Sequence, residues 1–195
     1  DIKGASCCID IHSSNIFLQE VPQVRLNDDY DETLLHLSKY MNTDLVWIHP
    51  SQTVNEGSLA YALNQMGIPT MVTESGAAFR IRYEYCRQII DGIFSVMAEL
   101  GIWKGKTNGK TDVPFINEDK ICYLNCESSG LFVSYKRLKD HVKKGEIIGI
   151  VQNPLMGATE EEVIAPVDGI LMTLREHPSV TEGSLVARVI GGGKL

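Results

Sequence analysis

The sequence predicts an α/β fold, a mainly parallel sheet with flanking helices, followed by a small all-β barrel or sandwich. Three observations support this. Over the first hundred residues, apolar runs of strand length alternate with helix-period segments in the order strand, helix, strand, helix, strand, helix. After Trp103 the composition changes, and the polar, glycine-bearing stretch Lys104–Asp112 reads as a linker. Beyond it lie short β-type runs separated by glycines, and they contain an internal repeat. Two domains are expected, 1–107 and 108–195.

Residues 6–11 form a short apolar run ending at His12 and read as a buried strand. Residues 30–42 open on aspartates that suit the positive end of a helix, and Leu34, Leu37 and Met41 share one helical face. Leu45-Val46-Trp47-Ile48 is the next strand, closed by His49-Pro50. Ser58 is placed to cap a helix with Leu59, Leu63 and Met66 on its apolar face, and Gly67 stops it. Thr70–Thr73 is a third strand, ending at Glu74-Ser75-Gly76. A long helix follows from about Arg82 to Leu100, with Tyr83, Cys86, Ile90, Ile93, Met97 and Leu100 as its apolar face. In the β part, Ser129-Gly130-Leu131-Phe132 resembles Asp168-Gly169-Ile170-Leu171. Val142-x-x-Gly145 likewise matches Val180-x-x-Gly183. Two copies of a strand, turn and strand unit imply pseudo-symmetry, with each Val-x-x-Gly a turn whose glycine takes positive φ.

Composition narrows the function classes. Apolar residues at 44% and charged residues at 22% are ordinary for a globular chain, which excludes a disordered or collagen-like one. A net charge of −7 with no basic run makes a nucleic-acid partner unexpected. No apolar run has the length of a membrane span, so no membrane partner is expected. The five cysteines are odd in number and irregularly spaced, which argues against a disulfide scaffold and for a reducing, cytoplasmic setting. Cys122 and Cys126 have no second Cys/His pair beside them, so a structural zinc there is not favoured.

In parallel sheets, ligands sit outside the carboxyl ends of the strands. Three polar residues fall at such ends: His12, His49 and Glu74. Strand geometry points Asp10 and His12 to one face. A carboxylate can hold one nitrogen of such a histidine while the other ligates a metal, and a hydrogen-bonded structural histidine is the alternative. A partly desolvated Glu74 suits a general base, or else it complements the dipole of the following helix. His49, next to Pro50, reads as a turn residue, and Tyr61 as packing. Arg80 and Arg82 follow the Glu74 loop and are candidates for pairing with a substrate carboxylate, with a solvated helix start as the alternative.

Four segments together resemble the succinylglutamate desuccinylase/aspartoacylase family of zinc amidohydrolases, related in fold to zinc carboxypeptidases. They are Ile9-Asp10-Ile11-His12-Ser13-Ser14 with Val21–Arg25 as its following loop; Gly57-Ser58-Leu59 with Gly67–Gly76; Asp91-Gly92-Ile93 through Leu100-Gly101-Ile102; and Gly145–Val151 with Ala165–Ile170. Their order and spacing agree across nearly the whole chain. The resemblance implies that His12 is a zinc ligand, that Glu74 is the general base and acid, and that one zinc ion is the cofactor. Ser13, Arg80 and Arg82 become candidate substrate contacts. The implied substrate is a small N-acylated molecule such as an N-acyl amino acid. The family's other two zinc ligands come from a His-x-x-Glu motif, and no His-x-x-Glu occurs here. The chain is therefore expected to be a C-terminal portion of such an enzyme. The competing readings are a non-catalytic relative, an interaction module whose β domain serves contacts between chains as in a homo-oligomer, and a biotinyl- or lipoyl-like carrier. The carrier is disfavoured because Val151–Val163 contains no lysine.

Overall fold

A computed structural model describes residues 2–50 and 57–192. The protein is mixed α/β, mostly sheet, with three helices among the described residues. It divides into two compact units. The first comprises the residues through Ser13, Pro22–Ser75 and Ile81–Glu118, and the second Ser14–Val21, Gly76–Arg80 and Asp119 onward.

In the first unit the strands are β1 (Cys8–Ser13), β2 (Leu18–Asn27, from Pro22 on in this unit), β3 (Leu45–His49), β4 (Thr70–Gly76) and β5 (Phe115–Asn117). They lie in the order β1-β4-β2-β3-β5. β1 runs parallel to β4, β2 to β3, and β3 to β5. β1 extends two residues past the expected strand. Its ladder with β4 continues to Ser13↔Ser75, so polar His12 and Ser13 still have backbone partners. β2 replaces the expected loop at Val21–Arg25. Pro22 cannot donate, but its carbonyl accepts from Asp44 N at 2.8 Å, and the strand is buried over most of its length.

Helix α1 (Glu32–Ser38) is shorter than the expected 30–42, and Asp31 caps it by accepting from Thr33 N at 2.6 Å. Helix α2 (Leu59–Gln65) is capped by Ser58, as its spacing predicts, at 3.2 Å from Tyr61 N. Its buried residues are Ala60 and Leu63, whereas Met66 is 65% exposed and Leu59 is also exposed, which corrects the expected face.

Helix α3 (Tyr83–Glu99) is rotated relative to its expected stripe. It buries Ile89, Gly92, Ser95 and Val96, and leaves Ile90 and Tyr83 exposed. The cause is a close backbone approach. A Cβ on Gly92 would lie 1.9 Å from the Met41 carbonyl oxygen, so the small-residue face is the one that fits. The core of this unit gathers Val24, Leu26, Leu37, Met41, Val46, Met71, Ile89 and Val96.

The second unit realises the repeat. Its first copy is β6 (Ile121–Asn125), β7 (Gly130–Ser134), β8 (His141–Val142) and β9 (Ile147–Gln152). Its second copy is β10 (Thr159–Ile164), β11 (Gly169–Arg175), β12 (Ser179–Val180) and β13 (Leu185–Gly191). The copies exchange partners. β12 pairs with β7, and β8 with β11, giving the rows β10-β9-β7-β12 and β6-β13-β11-β8. Both rows feed one core around Phe132, Ile148, Val151, Leu171 and Val186. Gly145 and Gly183 have φ of 85° and 81°, as the turn reading requires. The Leu18–Val21 end of β2 adds to β11, with Glu20 opposite Thr173. There Glu20, almost fully buried, takes Arg188 Nη1 at 2.5 Å. No described helix is long and apolar enough to cross a membrane.

Candidate active site

The parallel ladder of β1 and β4 sets His12 directly beside Glu74 at the carboxyl ends of both strands. Both side chains line a cavity of about 840 Å³ in the first unit. Period-two alternation brings Asp10 and Val72 to the same lining. From β2 come Arg25 and Asn27, from β3 His49, and from α2 Leu59, Tyr61 and Asn64. Leu59 is thus a wall of the cavity rather than core, and Tyr61, read as packing, also lines it. Asp29 and Asp31 add negative charge from the segment entering α1.

The polar groups form two sets of contacts. The His12 Nε2 lies 3.1 Å from Asp10 Oδ2, an arrangement in which a carboxylate orients an imidazole. His12 itself is half-exposed. Glu74, with an 11% exposed side chain, places Oε2 3.2 Å from Arg25 Nη1. The Arg25 guanidinium lies over the Trp47 ring, 5.1 Å from its centroid. Trp47 donates its indole N–H to Glu118 Oε2 at 2.8 Å. His49 stacks on the same indole, with centroids 4.1 Å apart, and holds Nδ1 3.7 Å from that carboxylate.

The structure therefore brings together His12, Glu74 and Asp10 of the expected residues. His49 joins them, so its reading as a turn residue is corrected. Neither Arg80 nor Arg82 lines the cavity. Arg80 is exposed in the second unit, and Arg82 is the N-cap residue of α3. Ser13 points away from the lining, one residue out of phase with His12. Arg25, Trp47 and Glu118 escaped the sequence reading. The signal for Arg25 was its i, i+2 spacing to Asn27 in a strand, masked by Pro22.

Among the described residues no group of three or more His, Cys, Asp or Glu side chains is arranged to hold a metal. One imidazole beside an aspartate falls short of the three or four ligands that bind zinc tightly, so these residues do not by themselves fit the ion. Cys122 and Cys126 form no such group either. The Cys126 thiol donates to Thr181 O at 3.2 Å, and burial pushes its pKa up.

No family model matches the chain, and no curated protein matches it in sequence. Solved structures do match it. The product-bound ectoine utilization protein EutE (DoeB) from Ruegeria pomeroyi is 22% identical over 96% of this chain and 59% of that one, with a TM-score of 0.82. A succinylglutamate desuccinylase from a Silicibacter species is 23% identical over 95% of this chain and 58% of that one, also at 0.82. A succinylglutamate desuccinylase/aspartoacylase from Rhodobacter sphaeroides gives 20%, 98%, 60% and 0.78. At such identities the likeness is one of fold. The chain shares the fold of succinylglutamate desuccinylase/aspartoacylase proteins and spans about 59% of the length of the first of these structures.

Proposed function

We propose that the first unit carries a hydrolytic site, a deacylase that cleaves the amide bond of an N-acyl amino acid or a related small molecule. The observation that carries this reading is the register pair His12↔Glu74, set at two parallel strand ends on one cavity. Its fold-level support is the likeness to succinylglutamate desuccinylase structures. In this reading Glu74 takes a proton from the attacking water as its oxygen adds to the amide carbonyl. When the C–N bond breaks, the same proton goes to the leaving nitrogen, so the products are a carboxylate and a free amine. Arg25 holds the carboxylate of Glu74 in place. Zinc enters only as an ion to which His12 contributes one ligand. The sheet is read, with it, as zinc-carboxypeptidase-like.

The test is Glu74→Gln, assayed by amine release from N-acetyl amino acids with zinc present. kcat is expected to fall about a thousandfold, within the range of general acid–base catalysis, with an unchanged circular dichroism spectrum. Near-normal turnover in that variant overturns the assignment. The small donor set, with no three-ligand group among the described residues, favours a second reading, a non-catalytic protein of this fold. Ligand binding without any amine release supports it over the first.

A further inference from the structure

We infer that Arg25 is the residue that reads a carboxylate of the ligand, immediately beside the bond addressed by Glu74. Arginine is the side chain whose planar fork matches a carboxylate with two parallel hydrogen bonds. Three facts place this one for that task. It lines the cavity, and its side chain keeps 27% exposure, so it is reachable from the cavity. Its guanidinium carbon sits over Trp47, 5.1 Å from the ring centroid, and that indole is itself tied to Glu118, so the fork has a fixed neighbour before any ligand arrives. One of its present partners is the carboxylate of Glu74 at 3.2 Å, an interaction that a ligand carboxylate can share.

Position then specifies the chemistry. β2 and β4 are neighbours in the sheet, about 4.8 Å apart. A ligand whose scissile amide faces Glu74 therefore meets Arg25 with a group only two or three bonds away. The α-carboxylate of an N-acyl-α-amino acid is such a group, whereas the far end of a long acyl chain is not. This rests on the deacylase reading for the identity of the ligand, but the anion site itself does not depend on turnover. It also gives the cavity the carboxylate partner that Arg80 and Arg82, outside its lining, do not supply.

The experiment is calorimetric titration of the chain with N-acetylglycine and with its neutral counterpart N-acetylglycinamide. The carboxylate is expected to bind at least tenfold tighter than the amide. Arg25→Met is expected to abolish that preference, and Arg25→Lys to retain a weaker one, as a point charge without the fork. Because Arg25→Met leaves Glu74 without its guanidinium, the double variant Arg25→Met/Glu74→Gln repeats the test with both charges removed. Glu74→Gln alone is expected to tighten N-acetylglycine binding severalfold by removing the competing carboxylate, an effect that a merely structural Arg25 would not produce. An undiminished preference in both Arg25→Met backgrounds, or equal affinities in the parent chain, overturns the inference. Failure of the deacylase reading registers separately, as turnover indifferent to Glu74→Gln.

Discussion

Gly92 sets how closely α3 approaches the chain at Met41, and through that contact it decides which face of the helix is core. Gly92→Ala places a methyl group against a carbonyl oxygen that is part of the backbone and cannot rotate away. It is expected to destabilise the fold by about 1–3 kcal/mol, as overpacking does, read as a lower urea midpoint at unchanged slope. An unchanged midpoint would mean that α3 stands further off. The same residue shows why part of the core was illegible. Counting apolar positions gives weight to Ile90 and Tyr83 and none to Gly92 or Ser95, yet the close approach selects the latter pair. His12 and Glu74 were legible because polar residues closing apolar strand runs stand out. Arg25 was not, because Pro22, Gln23 and Glu20 disguise β2 as a loop.

Between elements, α1 and α3 are joined at their exposed ends by His36 and Glu99, with Nε2 and Oε1 2.6 Å apart. Hydrogen bonds from His36 and Tyr40 hold the Glu99 carboxyl below its ordinary range. A carboxyl lowered on folding contributes stability that is present in full above its unfolded pKa, about 4.3, and lost as pH falls through the lower folded value. The thermal midpoint of the parent chain is therefore expected to exceed that of Glu99→Gln at pH 6, with the gap closing on acidification below about pH 4. A gap independent of pH would refute the linkage. The lowered carboxyls of Asp31, bonded by Thr33, and Glu146, bonded by Lys136, push acid stability in the same direction.

At the scale of the molecule, the second unit is two copies of a four-strand unit that trade their short strands. The glycines that opened each repeat in the sequence, Gly130 and Gly169, prove to be close-approach sites. A Cβ there would lie 2.5 Å from Gln152 O and 2.1 Å from Ile190 O, respectively. The repeat omits one component, Leu18–Val21, whose Glu20 faces Arg188 in the interior. In the full chain, Arg188→Met leaves Glu20 buried without its guanidinium and is expected to cost about 3–5 kcal/mol. In residues 112–195 expressed alone, the sign reverses: Arg188→Met removes a charge that lacks its carboxylate, and the melting temperature is expected to rise. Thermal denaturation of the four proteins checks both, and destabilisation in both contexts would show that the arginine stem, not its charge, matters.

Sequence by itself determined the alternation of strands and helices, the cap at Ser58, the acidic start of α1, the repeat, and the strand ends that carry His12 and Glu74. These follow from local rules: period, capping and turn chemistry act within a few residues. Tertiary structure alone decided that β2 is a strand, which face of α3 is buried, and that Arg25 meets Glu74 while lying over Trp47, which His49 and Glu118 contact. Those outcomes depend on which strands become neighbours and how near two backbones come, and no local pattern of residues encodes a distance across the sheet.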